Sequence, residues 1–246
     1  MSTHDNSKGA EPVLLSRGFI EAGGIGEIVA RDAPALRQLT DAEREASRRA
    51  LLDTRPPGDV WLFAYGSLIW NPAIDVIERR IARIDGWHRA FCLSTLAGRG
   101  TTDNPGLVLG LEEGGTCVGL GFRIAEGDLE RELKVVWQRE MLAACYVPRW
   151  VDVLDDNGSR FGSAIAFTID PSSEHYAGDL ATEAVIQRLA TASGALGSSA
   201  DYLFRTRDGL RALGIPDLDL EQLAARVEAV QAAQPIVACE ATDSRF

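Results

Sequence analysis

The chain has 246 residues, enough for one large domain with extensions, and its 46 % hydrophobic content suits a globular core. A formal net charge of -11 argues against a sequence-independent DNA or RNA binder and against adsorption to anionic membranes, since both need Lys/Arg patches. It leaves room for a small anionic substrate in a local pocket, and no run approaches the ~18 uninterrupted apolar residues of a membrane span.

The start, MSTHDNSKGAEP, is polar and lacks the apolar stretch of a secretory leader. Residues 1–16 are expected to form a tail. Residues 17–34 carry Gly18, Gly23, Gly24 and Gly26 and are expected to be irregular. A helix fits 41–53, capped by Thr40 or Asp41 with Glu43 in its first turn. Pro56-Pro57-Gly58 breaks the chain and divides an N-terminal extension (1–58) from a main domain (59–234), with a C-terminal tail at 235–246.

The main domain opens with WLFAYGSLIW at 61–70. Its first half reads as a buried strand that stops at Tyr65-Gly66-Ser67. A buried strand ending in a small-residue turn presents backbone N–H groups at a fixed place, able to hold an anionic or carbonyl part of a ligand. Residues 76–84 and 88–95 read as strands separated by Asp85-Gly86. Residues 106–112 and 117–124 alternate with period two and read as a hairpin, with Leu107, Leu109 and Leu111 on one face, Val118, Leu120, Phe122 and Ile124 on another, and Glu113-Gly114-Gly115-Thr116 as the turn. The pattern then turns helical over 127–142, with Leu129, Leu133, Val136, Trp137 and Glu140 on one stripe. Strands follow at 149–154 and 160–169 around the turn Asp155-Asp156-Asn157-Gly158. Helices are expected at 179–193, 198–213 and 217–233. Central strands flanked by helices make an α+β fold with a mainly antiparallel, barrel-like sheet.

Glu140 is the residue whose placement needs a reason. A carboxylate on the apolar stripe of a helix is costly unless paired or functional, and desolvation makes its ionised form a better base. Pattern alone leaves two readings open: a general base, or a structural ion pair with Arg99 or Arg139. Arg99 opens a turn-rich loop, RGTTDNPG, which is either plain surface or a contact for a ligand carboxylate. Tyr202 lies near the start of a helix, offset from its apolar stripe.

The other chemistry-bearing residues point nowhere specific. The four cysteines (Cys92, Cys117, Cys145, Cys239) show no C-x-x-C spacing and are expected to be reduced thiols in a cytoplasm. Cys145 has no histidine near it in sequence to activate it. His4, His88 and His175 are too few for a His-rich metal centre, so neither metal nor cofactor is expected. The G-x-G-x-x-G, P-loop, H-E-x-x-H and G-x-S-x-G motifs are absent.

Five segments in order give the chain a family resemblance: FAYGSLIWNP (63–72), GWHRAF (86–91), RGTTDNPGLVLGLEEGG (99–115), WQREMLAACYVPRW (137–150) and SSADYLFRTRDGLRALGI (198–215). The sequence resembles the ChaC family of glutathione-specific γ-glutamylcyclotransferases. The resemblance implies a cofactor-free intramolecular reaction, in which the α-amine of a γ-glutamyl group attacks its own γ-carbonyl and releases 5-oxoproline, with cysteinylglycine as the second product from glutathione. It implies that Tyr65, Gly66, Ser67 and Leu68 bind the γ-glutamyl group, that Glu140 is the general base, and that Tyr202 is the family's helix tyrosine. Ala64 stands where many members carry glycine, and Asp201 where glutamate is often seen. Two alternatives stay open: a cyclotransferase for another γ-glutamyl amine or peptide, and a non-catalytic regulatory protein of the same fold. The sequence carries no sign of oligomeric state.

Overall fold

The computed structural model describes residues 15–233. Most of both expected tails, with His4 and Cys239, lies outside them. Five strands close into a barrel in the order β1-β3-β2-β4-β5: β1 (Val60–Ala64), β2 (Glu78–Thr95), β3 (Gly106–Arg123), β4 (Tyr146–Leu154) and β5 (Arg160–Ile169). All neighbours run antiparallel except β1 and β5, which pair in parallel from Val60↔Ser163 to Leu62↔Ile165. The sheet is therefore mixed, and the class is α+β as expected.

The two longest strands correct the sequence reading. Residues 106–123 are one strand, β3, and not a hairpin. Its partner is β2, another single strand where two were expected. Asp85 pairs with Thr116 and Trp87 with Glu113, so Gly86 faces Gly114 and Gly115 in a bulge. All three glycines take left-handed φ (83°, 98° and 69°), the conformation that also makes a turn. The local signature was read as a turn, but the register with β2 makes it a kink in a continuous ribbon. Leu107, Leu109 and Leu111 share a buried face as expected, as do Leu120, Phe122 and Ile124, whereas Val118 is exposed. The Asp155–Gly158 turn does join β4 to β5, with the Asp155 and Gly158 amides donating across it at 2.9 Å.

Residues 17–34, expected to be irregular, form two short helices, α1 (Arg17–Glu21) and α2 (Gly24–Asp32). Glycine disfavours helix, but Ile20, Ile28 and Val29 are buried, and that burial outweighs propensity. Helix α3 (Asp41–Leu52) begins at Thr40 with a reciprocal capping box to Glu43. Helix α4 (Leu129–Glu140) follows a 3₁₀ turn at Glu126–Asp128 and buries Leu129, Leu133, Val136 and Trp137. Three further helices, α5 (Thr182–Thr191), α6 (Ser199–Ala212) and α7 (Leu218–Ala233), pack on one another, and a small ribbon (Ser193–Gly194 with Gly197–Ser198) sits between α5 and α6.

The extension is locked onto α4. Trp137 Nε1 donates to Ser47 Oγ at 3.2 Å. Arg17 grips Glu132 with two hydrogen bonds, at 2.7 and 3.1 Å. The Glu132 side chain is 0 % exposed. Burial opposes its charge, but hydrogen bonds from Arg17, the Asp75 amide and Arg131 hold its carboxyl below the ordinary range. A depressed carboxyl contributes stability above its ordinary pKa and loses it as pH falls through the folded value. Arg17→Ala strips this buried carboxylate of its main partner and is expected to cost about 3 kcal/mol near neutral pH in urea unfolding, with the gap to the parent narrowing in acid.

Candidate functional site

One cavity of about 230 Å³ opens at the end of the barrel where β1 stops, and Tyr65, Gly66, Ser67, Leu68, Arg99, Glu140 and Tyr202 all line it. They arrive from four places: the turn after β1, the loop after β2, the last residue of α4, and the first turn of α6.

The turn after β1 is closed by backbone bonds from the Ile69 amide to Gly66 O (3.0 Å) and from the Asn71 amide to Ser67 O (2.9 Å). Gly66 does not need a left-handed φ; it needs to lack a side chain. A Cβ there would stand 2.7 Å from Tyr202 Oη, so glycine is what lets the tyrosine hydroxyl reach the turn. Tyr202 is held edge-on by Phe91 and Trp70, with ring centroids 6.0 and 6.1 Å away. Burial, then the charge of Glu140, pushes its hydroxyl up to about 12, against the backbone amides of Leu109 and Ser67 that favour the phenolate.

Glu140 closes α4 at the end where the helix dipole disfavours an anion. Its side chain is 16 % exposed, and Arg139 Nε lies 3.0 Å from its Oε1. Burial raises its carboxyl pKa above the usual range, and the Arg139 charge only partly offsets this. Of the two candidate partners, Arg139 is therefore the real one. Arg139, 5 % exposed at its side chain, also donates to Ser67 Oγ at 2.7 Å and to the Asn71 carbonyl. One guanidinium thus ties the carboxylate to the turn.

Arg99 is committed elsewhere. Its Nη1 donates to Asp201 Oδ2 at 3.0 Å and to the Ser198 carbonyl at 3.3 Å, while its plane lies 5.8 Å from the Tyr202 ring. The loop it begins is stitched to α6 by Ser199 Oγ, which donates to Arg99 O and accepts from the Leu107 amide. The sequence reading missed Tyr146, which also lines the cavity. Its hydroxyl donates to Leu109 O at 2.8 Å, as that of Tyr65 donates to Phe167 O at 2.7 Å. Burial first, and the neighbouring acids second, keep both phenols well above their ordinary pKa and so neutral. Alternation along β4 was the one signal for Tyr146, and the start of that strand was placed at 149.

Cys145 and His175 also line the cavity, but burial pushes the Cys145 thiol up, which makes it a poor nucleophile. Among the described residues, no group of His, Cys, Asp and Glu is arranged to hold a metal ion, and no helix is long and apolar enough to cross a membrane. The arrangement amounts to a desolvated carboxylate with raised proton affinity, sharing a cavity with a tight turn and three neutral phenols. It can take a proton from a bound amine and return it nearby.

Comparison with known proteins gives the family and the fold. The family model for ChaC-like protein matches residues 60–230. The glutathione-specific gamma-glutamylcyclotransferase of Escherichia coli (strain K12) is 44 % identical over 187 residues, covering 76 % of this chain and 80 % of that protein. The human glutathione-specific gamma-glutamylcyclotransferase 1 is 29 % identical over 177 residues, 71 % of this chain and 79 % of that one. Among solved structures, a yeast gamma-glutamyl cyclotransferase specific to glutathione superposes with a TM-score of 0.64 at 20 % identity, covering 72 % of this chain and 99 % of that one, which establishes the shared fold.

Gly66→Ala is expected to drive Tyr202 out of its packing and to cost about 1–3 kcal/mol. The cost is read as a lower thermal midpoint. Adding Tyr202→Phe, which removes the clashing oxygen, should recover part of it.

Proposed function

The chain belongs to the ChaC-like protein family, and we propose that it is a glutathione-specific γ-glutamylcyclotransferase in which Glu140 is the general acid and base. The observation that carries this reading is the desolvated Glu140 carboxylate, tied through Arg139 to the turn at residues 65–68 inside one cavity.

The γ-glutamyl group lies against Tyr65, Gly66, Ser67 and Leu68. Its α-ammonium is mostly protonated at pH 7 and cannot attack until it loses a proton. Glu140 takes that proton, and the freed amine attacks the γ-carbonyl carbon of the same residue. The new C–N bond closes a five-membered ring. The tetrahedral oxyanion collapses, the old C–N bond breaks as Glu140 returns its proton to the leaving nitrogen, and the ring nitrogen gives up its second proton, which ends on the released amine. The products are 5-oxoproline and, from glutathione, cysteinylglycine.

Nucleophile and electrophile share one molecule, so the cavity's main task is to hold the glutamyl chain curled. Orientation of that kind is worth on the order of 7–11 kcal/mol. Backbone N–H groups of the turn stabilise the oxyanion. The neutral phenols of Tyr65, Tyr146 and Tyr202 give the substrate polar contacts without competing for its proton. Arg99 supplies positive charge at the cavity wall for a substrate carboxylate, buffered by Asp201. We place the reaction in the cytoplasm, in keeping with free, buried Cys92, Cys117 and Cys145.

Glu140→Gln should keep the fold and bind glutathione while lowering kcat by about 10²–10⁴, the usual worth of a positioned acid–base group. The check is 5-oxoproline release alongside calorimetric binding. Near-parental release would remove Glu140 from this role. In the parent, the rate is lost as falling pH protonates Glu140. Because burial raises that carboxyl, the acid limb of kcat/KM should lie above the ordinary glutamate value of about 4.3. Arg139→Gln deletes the charge that opposes the rise and should move the limb to still higher pH.

A further inference from the structure

Part of the cavity wall comes from outside the stretch matched to the family, which begins at residue 60. Ile25, Ile28 and Val29 of α2 and Leu36 just beyond it all line the cavity. Ile25 packs on the main core, whereas the other three belong to a separate patch. Ile28, Val29 and Leu36 pack with Leu96, Leu142 and Leu196 in a small apolar cluster of their own, whereas Tyr65, Tyr146 and Tyr202 belong to the main core. The cavity therefore has a polar half and an apolar half, and the extension shares the apolar half with Leu96, Ala97, Leu142 and Leu196.

The apolar half is held in place by specific bonds, one of them to the segment that follows α4. The Leu39 amide donates to the carbonyl of Leu142, two residues past Glu140, at 2.8 Å. Gln38 Nε2 donates to Gly26 O at 3.0 Å and closes the segment from α2 to residue 38 into a loop. Asn71 Nδ2, just past the substrate turn, donates to Leu15 O at 2.8 Å. The wall is thus anchored on both sides of the site.

We propose that α2 and Leu36 form the subsite for the leaving half of the substrate and select γ-glutamyl compounds whose first leaving residue has a small, uncharged, apolar side chain. This inference rests on the cyclotransferase reading. A γ-glutamyl substrate is itself divided. Its glutamyl end carries an ammonium and a carboxylate and needs the polar half, so the side chain of the first residue beyond the scissile amide faces the remaining apolar half. The four extension residues there offer no charge and no side-chain hydrogen bond. A thiol-bearing methylene fits such a wall, and so does an ethyl group of the same size. A charged side chain would be desolvated there without a partner. Recognition on this side comes from shape and apolarity, with no demand for sulfur.

The test uses the full chain and tripeptides of the form γ-glutamyl-X-glycine, with X as cysteine, 2-aminobutyrate, serine or lysine, followed by 5-oxoproline release. The parent should turn over the 2-aminobutyrate peptide within a few-fold of glutathione, the serine peptide on the order of tenfold more slowly in kcat/KM, and the lysine peptide worse still. Ile25→Asp should raise kcat/KM for the lysine peptide at least tenfold relative to glutathione. Leu36→Asp, at a second half-buried position, is the parallel variant, and circular dichroism identifies any variant that fails to fold. Two results would overturn the proposal: a 2-aminobutyrate peptide that is a hundredfold poorer than glutathione, or folded variants that keep the parental ranking of all four peptides. Failure of the underlying reading looks different, because the parent would then release 5-oxoproline from none of them.

Discussion

The ion pair of Arg139 and Glu140 is the constraint around which the site is arranged. A carboxylate at the C-terminal end of a helix, shielded from water, sits where both the helix dipole and desolvation oppose its charge. Both raise its affinity for a proton. A guanidinium 3.0 Å away holds it within reach of ionisation. The same guanidinium cannot move freely, because Ser67 Oγ and the Asn71 carbonyl occupy its other donors. The proton-transfer group and the ligand-binding turn are therefore fixed relative to each other by one rigid, planar fork.

The rest of the fold serves to keep that fork in place. The turn sits where the wholly buried strand β1 ends, so its position is set by the barrel. Helix α4 lays five apolar residues into the core, which fixes the rotation that points Glu140 toward the cavity. From outside, α1 and α3 clamp α4 through Arg17–Glu132 and Trp137–Ser47. Tyr202 reaches the turn only because Gly66 leaves room, and its ring is wedged by Phe91 and Trp70. Polar groups at the centre are thus oriented by apolar packing at the periphery, where the interior is least deformable.

Local patterns were legible wherever one residue type had one physical use. Thr40 with Glu43, and Ser198 before α6, are caps because their side chains satisfy backbone amides that no helix bond can reach. The stripe on α4 made Glu140 stand out as a carboxylate among apolar neighbours. Patterns failed where one local signature serves two structures. Gly114-Gly115 has the conformational freedom for a hairpin turn or for a bulge, and only the partner strand β2 decides between them. The glycines of residues 17–34 weaken a helix in isolation, yet packing of Ile20, Ile28 and Val29 restores it.

What the amino-acid order determined by itself was therefore periodic and local: the helices from residue 41 onward with the caps at Thr40 and Ser198, a strand that stops at Tyr65-Gly66-Ser67, an out-of-place carboxylate, and five segments in family order. These are written in neighbouring residues, because backbone geometry repeats over two or 3.6 residues. Partnerships were decided only in three dimensions. Arg139 faces Glu140 while Arg99 faces Asp201, Tyr146 joins the cavity from a strand with no site motif, and an apolar helix from the extension completes the far wall. No local period encodes such choices, since they depend on which distant surfaces the closed barrel and the docked helices bring within a few ångströms.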